Sequence, residues 1–461
     1  MTIRFQLLIV VFCMSSFLSC PMFGQLIDDY SPIALKGEVP AEFLKRIKNN
    51  VKLEYDNSLR INSTQRKQFD IATEHALRKI FQNGNIYFND PLTDYVRKVG
   101  DHILYNSNLK NDITFFVSRF NTPNATTWQD GTIIINIGLL AKLENEAQLA
   151  FALAHEVSHF IQQHPYLQYG RFVKKKEGTT TTNQPFVQNV DRTLIYELEA
   201  DSIAVDLLSK ANYNYHEGSK VLRILKGDYE KESIDFMSYL SSDKFEVTQK
   251  LLCKPISYRD YMESDDVNQK AILLTDIRQR RLIQRLSRID IQPNLRLYIL
   301  PERLFQKVKA IAHFEMVEQS FRASNFLRST YEALVLLNTY PNNKYLNIKI
   351  CENLYYLNSY NEMSIMNRIF FDQKRIEDND YADFCCFINK MEQNDMRKMV
   401  SGLVKKQYQS YSSDERMLIT MAKTIEAVYD MKYAKSYYER YVKLFPEGEH
   451  FISAMKKLEQ L

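Results

Sequence analysis

The chain has 461 residues, 45% hydrophobic and 25% charged, enough to bury a sizeable core and too apolar for disorder as the main state. With 60 Lys and Arg against 56 Asp and Glu, the formal charge of +4 is too weak a bias to imply a nucleic-acid partner. Only 12 Gly and 12 Pro favour long helices over a turn-rich sandwich or a collagen-like repeat.

Residues 1–24 begin Met1-Thr2-Ile3-Arg4, run apolar over 5–18 and end in small residues around Gly24, the order of a secretory signal. Cleavage near Gly24 predicts an exported protein, periplasmic or secreted. Phe17-Leu18-Ser19-Cys20 supports a second choice, a lipoprotein with its lipid anchor on Cys20. No later stretch reaches the roughly 18 apolar residues that a membrane helix needs, so no transmembrane segment is expected in the mature chain. Cys253, Cys351, Cys385 and Cys386 match no zinc-knuckle spacing; buried free thiols are expected, with a disulfide as the alternative.

Residues 25–84 read as an N-terminal helical segment, with helical spacing around Phe69, Ile71, Ala72 and Leu77. Asp90-Pro91 opens a second amphipathic helix carrying Tyr95, Val96, Val99, Ile103 and Leu104. Strands are predicted over 113–117 and 132–136, separated by a polar loop with Asn121, Pro123 and Asn124. Asn145 with Gln148 predicts a capping box, and the apolar pattern from Leu149 to Ile161 carries a helix to about His164. Residues 174–185, rich in Lys and Thr, read as an exposed loop, after which helical periodicity resumes over 191–211. The fold class is therefore α+β, mainly α.

Residues 300–461 carry a degenerate repeat. Ser329, Ala333, Leu336 and Pro341 share their offsets with Ala434, Tyr438, Tyr441 and Pro446, and the two prolines stand 105 residues apart. That is close to three units of about 34 residues, the tetratricopeptide period. An irregular helical domain is the alternative. Such helices are expected to offer a surface to a protein partner.

The chemistry lies in His155-Glu156-Val157-Ser158-His159. Residues four apart share a helix face, so both imidazoles can reach one metal ion while Glu156 stands beside it as a base. A helix face with two packed histidines is the bland reading, and only eight His in the chain make a chance match uncommon. Catalytic zinc needs a third protein ligand, and Tyr196-Glu197-Leu198-Glu199-Ala200-Asp201 offers Glu197 and Asp201 on one face. Glu197 can bind metal while Asp201 reaches the far ring nitrogen of a ligand histidine; Glu199 points elsewhere.

His155-Glu156-x-x-His159 followed by Glu197-x-x-Ala200-Asp201 resembles the HtpX/BepA-like zinc metallopeptidase family, which also holds the CAAX prenyl proteases. The flanking Asp90-Pro91-Leu92-Thr93, Asn124-Ala125, residues 131–140 and residues 145–150 agree with it. The resemblance covers about residues 85 to 225 and implies a zincin-like domain, here taken as 85–290, with one zinc held by His155, His159 and Glu197. It also implies Glu156 as general base and Asp201 behind the ligands. The lack of membrane helices points to the soluble periplasmic branch of the family. One departure is that the later Thr-His-Pro motif of that branch is absent; the nearest look-alike is Thr275-Asp276-Ile277.

These parts predict a zinc metalloendopeptidase acting on exported or envelope polypeptides, in protein quality control. The strand over 132–136 is expected to be the sheet edge to which an extended substrate adds, with Asn124, Ala125 and Ile134 as substrate-binding positions. The rival class is a helical-repeat adaptor with an idle protease domain, against which the intact Glu156 argues. No oxyanion partner is chosen among the 29 Tyr.

Overall fold

The computed structural model describes residues 27, 30–34, 39, 62–105, 112–176, 187–227, 234–241, 266–290, 293–359 and 379–460. The secretory signal and Cys20 lie outside them, as do Cys253 and most of the Thr-rich loop. The described residues fall into two compact units, one from 33–230 and 262–319, the other from residues up to 32, 231–261 and 320–461.

The first unit opens with helix α1 (Ser63–Gln82), capped by Asn62 and Gln65 reciprocally. Helix α2 (Pro91–Ile103) starts where Asp90 accepts from the amides of Leu92 and Thr93, with Pro91 in the first turn where its missing N–H costs nothing. Three strands follow, β1 (Thr114–Ser118), β2 (Ala125–Thr127) and β3 (Thr132–Asn136). Their order is β1-β3-β2, with β3 parallel to β1 and antiparallel to β2. The predicted edge strand over 132–136 is thus the central one. All five of its residues are buried, as a strand paired on both sides and covered on both faces requires. The edge beside it is β2, which falls in the stretch expected to be loop.

Helix α3 (Ile137–Lys142) leaves β3 directly. A Cβ on its Gly138 would lie 2.0 Å from the carbonyl oxygen of Asn121, so glycine lets the helix press against the loop that carries Asn124. Helix α4 (Glu146–Ile161) is buried from Glu146 to Phe160. Only half of the expected capping box forms: Asn145 Oδ1 accepts from the Gln148 amide, but Gln148 Oε1 accepts from the amide of Glu144. Glu146 accepts from the phenols of Tyr95 and Tyr213 and from the amides of Ile299 and Leu300, seating the first turn of α4.

Gln163, at φ 55°, ends the run of α4 short of His164, which begins a separate helix, α5 (His164–Lys176). Residues 174–176, expected to be loop, belong to that helix. Helix α6 (Val187–Lys210) packs along α4, followed by α7 (Gly218–Leu225) and α8 (Asp266–Leu286), which packs against both α6 and α7. Among the described residues no helix is long and apolar enough to cross a membrane.

The chain leaves this unit inside α9 (Glu302–Arg322), after Gln319 rather than between 290 and 300, because Phe305, Val308, Ala312 and Met316 share the core of α2 and α4. The second unit holds α10 (Phe326–Thr339), α11 (Lys344–Ser359), α12 (Asn379–Lys390), α13 (Gln393–Tyr411), α14 (Glu415–Val428), α15 (Met431–Leu444) and α16 (Phe451–Glu459). Consecutive helices pack as pairs: α10 with α11, α14 with α15. Ser329, Ala333, Leu336, Ala434, Tyr438 and Tyr441 are all buried, and Pro341 and Pro446 each follow the end of a helix. Cys351 is a free, buried thiol, Cys385 is buried as well, and Cys386 is disulfide-bonded.

Candidate metal centre

Helices α4 and α6 bring the predicted ligands together. The nearest donor atoms of His155, His159 and Glu197 lie within 4.8 Å of one another. The Nε2 atoms of His155 and His159 are 3.0 Å apart, and the Glu197 carboxylate is 3.4 Å from the first and 3.6 Å from the second. Two imidazoles and one carboxylate make the donor set of a catalytic zinc site with a position left for water, so these residues fit the metal that their spacing implies. Behind them, His155 Nδ1 lies 2.9 Å from Asp201.

Glu156 stands beside this group, and its Oε2 accepts from the Thr127 hydroxyl at 2.6 Å. The edge strand β2 therefore touches Glu156 directly. Asn124, Ala125 and Thr127 line the same cavity of about 320 Å³ as His155, Glu156 and Glu197. Ile134 does not: it packs with Leu77, Phe81 and Phe116 in a separate cluster, since alternate residues of β3 face away from α4.

Three residues escaped the sequence reading. Arg278 of α8 donates to both oxygens of Asp201, at 2.8 and 2.9 Å, and reaches Glu197 at 2.8 Å. It fixes one Glu197 oxygen and leaves the other facing His159. Its only sequence signal was its place directly after Thr275-Asp276-Ile277. Thr127 lies in a stretch whose polar composition predicts loop. His164, buried, meets His159 Nδ1 to Nδ1 at 2.8 Å, stacks on Tyr196 and faces Glu199 at 3.4 Å.

Electrostatics sort these groups. Burial pushes the Glu156 carboxyl up. Burial also opposes charge on Glu197 and Asp201, yet His155 and Arg278 hold both carboxyls below their ordinary range. His155 resists burial through Asp201 and Glu197 and rises to about 9, while His159 is pushed down to about 3 by burial and by charged His155. Burial lowers His164 as well. These surroundings favour charge on His155 and a neutral His159.

Residues 91–176 match Peptidase family M48. The chain is 31% identical over 91 residues to a putative beta-barrel assembly-enhancing protease of Vibrio cholerae serotype O1, covering 19% of each chain. It is 35% identical over 78 residues, 16% of each chain, to the beta-barrel assembly-enhancing protease of Escherichia coli K12. For that of Yersinia pestis the figures are 27% over 89 residues, 19% of this chain and 18% of that protein. The matches thus span less than a fifth of these relatives. The family match takes in His155, Glu156 and His159; Glu197, Asp201 and Arg278 lie beyond it.

Proposed function

Starting from an M48-like segment whose two histidines and glutamate face one cavity, we propose that the chain is a zinc metalloendopeptidase cutting exported or envelope polypeptides. The observation that carries this reading is the convergence of His155, His159 and Glu197 beside the hydrogen-bonded Glu156. His155, His159 and Glu197 hold one zinc ion, with Asp201 beside His155 Nδ1 and Arg278, at the rim of the same cavity, holding Glu197 and Asp201. Zinc bound there supplies an electrophile for the scissile carbonyl and acidifies a water.

Glu156 would take a proton from the attacking water and return it to the departing amine, a cycle that its raised pKa favours. Thr127 orients the Glu156 carboxylate. The substrate lies extended along β2, pairing with its free side through main-chain hydrogen bonds, with Asn124 and Ala125 at the contact. Export through the signal at 1–24, or anchoring through Cys20, places the enzyme outside the cytoplasm, in the quality control of envelope proteins. The helices after residue 320 hold a protein partner in the manner of tetratricopeptide repeats.

The decisive experiment incubates purified mature protein with unfolded casein, with and without a chelator, beside the Glu156→Gln variant. Cleavage that needs metal and Glu156 supports the reading. Cleavage indifferent to both, or none with zinc bound, overturns it.

A further inference from the structure

The two ligand histidines are backed differently. His155 has a carboxylate beside it, with Asp201 lying 2.9 Å from its Nδ1. His159 has instead a second imidazole, that of His164, at 2.8 Å between the two Nδ1 atoms. An imidazole either donates or accepts at a given nitrogen, so this contact carries information that a carboxylate would not.

Its direction follows from the geometry. For His159 to offer a lone pair from Nε2, which faces His155 and Glu197, its single proton must sit on Nδ1. That proton points at His164 Nδ1, which must then be bare. His164 in turn carries its own proton on Nε2, facing the Glu199 carboxylate at 3.4 Å. Every ring nitrogen in the row has a role, and the row reads in one direction only. The His164 ring cannot rotate freely out of it: the residue is 1% exposed and stacks on Tyr196 at 4.3 Å between ring centroids. The positive φ of Gln163 is what turns the chain between α4 and α5 so that His164 faces back onto His159.

We infer that His164, turned by Glu199, is a positioning residue that holds His159 in the one tautomer able to bind metal through Nε2. This rests on the reading of His155, His159 and Glu197 as zinc ligands. The partners that orient a ligand histidine typically change metal affinity by about 10–100-fold when removed.

The test compares His164→Leu with His164→Asn in the full mature chain, reading zinc affinity by competition with a chromophoric chelator and the visible spectrum of the cobalt-substituted protein. Leucine keeps the apolar contact with Tyr196 but has no acceptor. Asparagine loses the stack but can place Oδ1 near the position of the imidazole Nδ1. A packing role predicts that leucine is the better replacement; the positioning role predicts the reverse, with zinc affinity about 10–100-fold weaker for leucine and largely restored by asparagine. Glu199→Gln should cost about five-fold at most, since its side chain is 44% exposed.

Should the leucine variant not fold, nitrogen-15 spectra of the zinc-loaded wild type decide. A proton on His164 Nε2 and none on Nδ1 is the expected result, and a proton on His164 Nδ1 overturns the inference. So does a folded leucine variant with wild-type zinc affinity. Failure of the wild type itself to bind zinc would strike the ligand assignment first, and the inference with it.

Discussion

Both units bury charge, but they arrange it to opposite ends. In the helical unit, Lys349 is 1% exposed and lies 2.9 Å from Glu352, which also takes the Arg416 guanidinium, while the ammonium sits 3.5 Å from the Phe321 ring centroid. These charges face one another. In the unit with α4, His155, Glu156, His159 and Glu197 face a shared cavity instead. Burial of a charge therefore does not mark chemistry; convergence of several such groups on one space does.

Four experiments bear on that contrast. The largest effect is expected from Glu197→Ala, which removes a ligand and should weaken zinc binding by more than about 100-fold, beyond the range of a supporting residue. Full zinc retention in this variant would show that α6 belongs with the self-contained charges. Glu156→Gln comes next, with zinc content unchanged, about one ion per chain, and peptide hydrolysis lowered by roughly 100-fold or more. Near-normal cleavage would sink the role of Glu156.

On the other side of the contrast, Glu352→Gln should lower stability by about 1–3 kcal/mol while zinc binding stays as it was. Glu352 resists burial through Lys349 and Arg416, which depress its carboxyl below the ordinary value of 4.5. A depressed carboxyl contributes stability above its unfolded pKa and loses it as pH falls. Acid titration below about pH 4.5 should thus erode the stability of the wild type more than that of Glu352→Gln, as circular dichroism can follow. The smallest effect is expected from Thr127→Val, a roughly ten-fold loss in kcat from one hydrogen bond to a charged group, with Thr127→Ser near wild type. Equal losses in both variants would mean that the strand, not the hydroxyl, matters.

The parts legible in the sequence were those set by short spacing. The His155 and His159 pair, the Asn145 cap and the α6 acids all follow from helical periodicity within a few residues. Strand order does not. The run Ile133-Ile134-Ile135 looks the same whether its partner lies on one side or two, although an unbroken apolar run leans toward a central strand. Strand β2 has only three residues and no alternation, and it exists because β3 offers it backbone partners. Arg278 sits 77 residues after Asp201 in a helix with Arg280, Arg281 and Arg285, and only its place directly after Thr275-Asp276-Ile277 sets it apart from them. The apolar pattern runs on to about His164, because a single positive φ at Gln163 leaves no periodic trace.

Glu146 gives the unit a timetable. Its four hydrogen bonds reach residues 51 and 67 positions away, then 153 and 154. Contacts so distant in sequence close late, after the entropy of a long loop has been met. A chain still emerging, with fewer than about 300 residues free, can form the two phenol bonds but not the two amide bonds that complete the seat of α4. The helix that carries His155, Glu156 and His159 is then held by half its anchor, and the order of synthesis delays the finished site until most of the unit is present. Pulsed hydrogen exchange on stalled chains ending before and after residue 300 would register this as late protection in the first turns of α4.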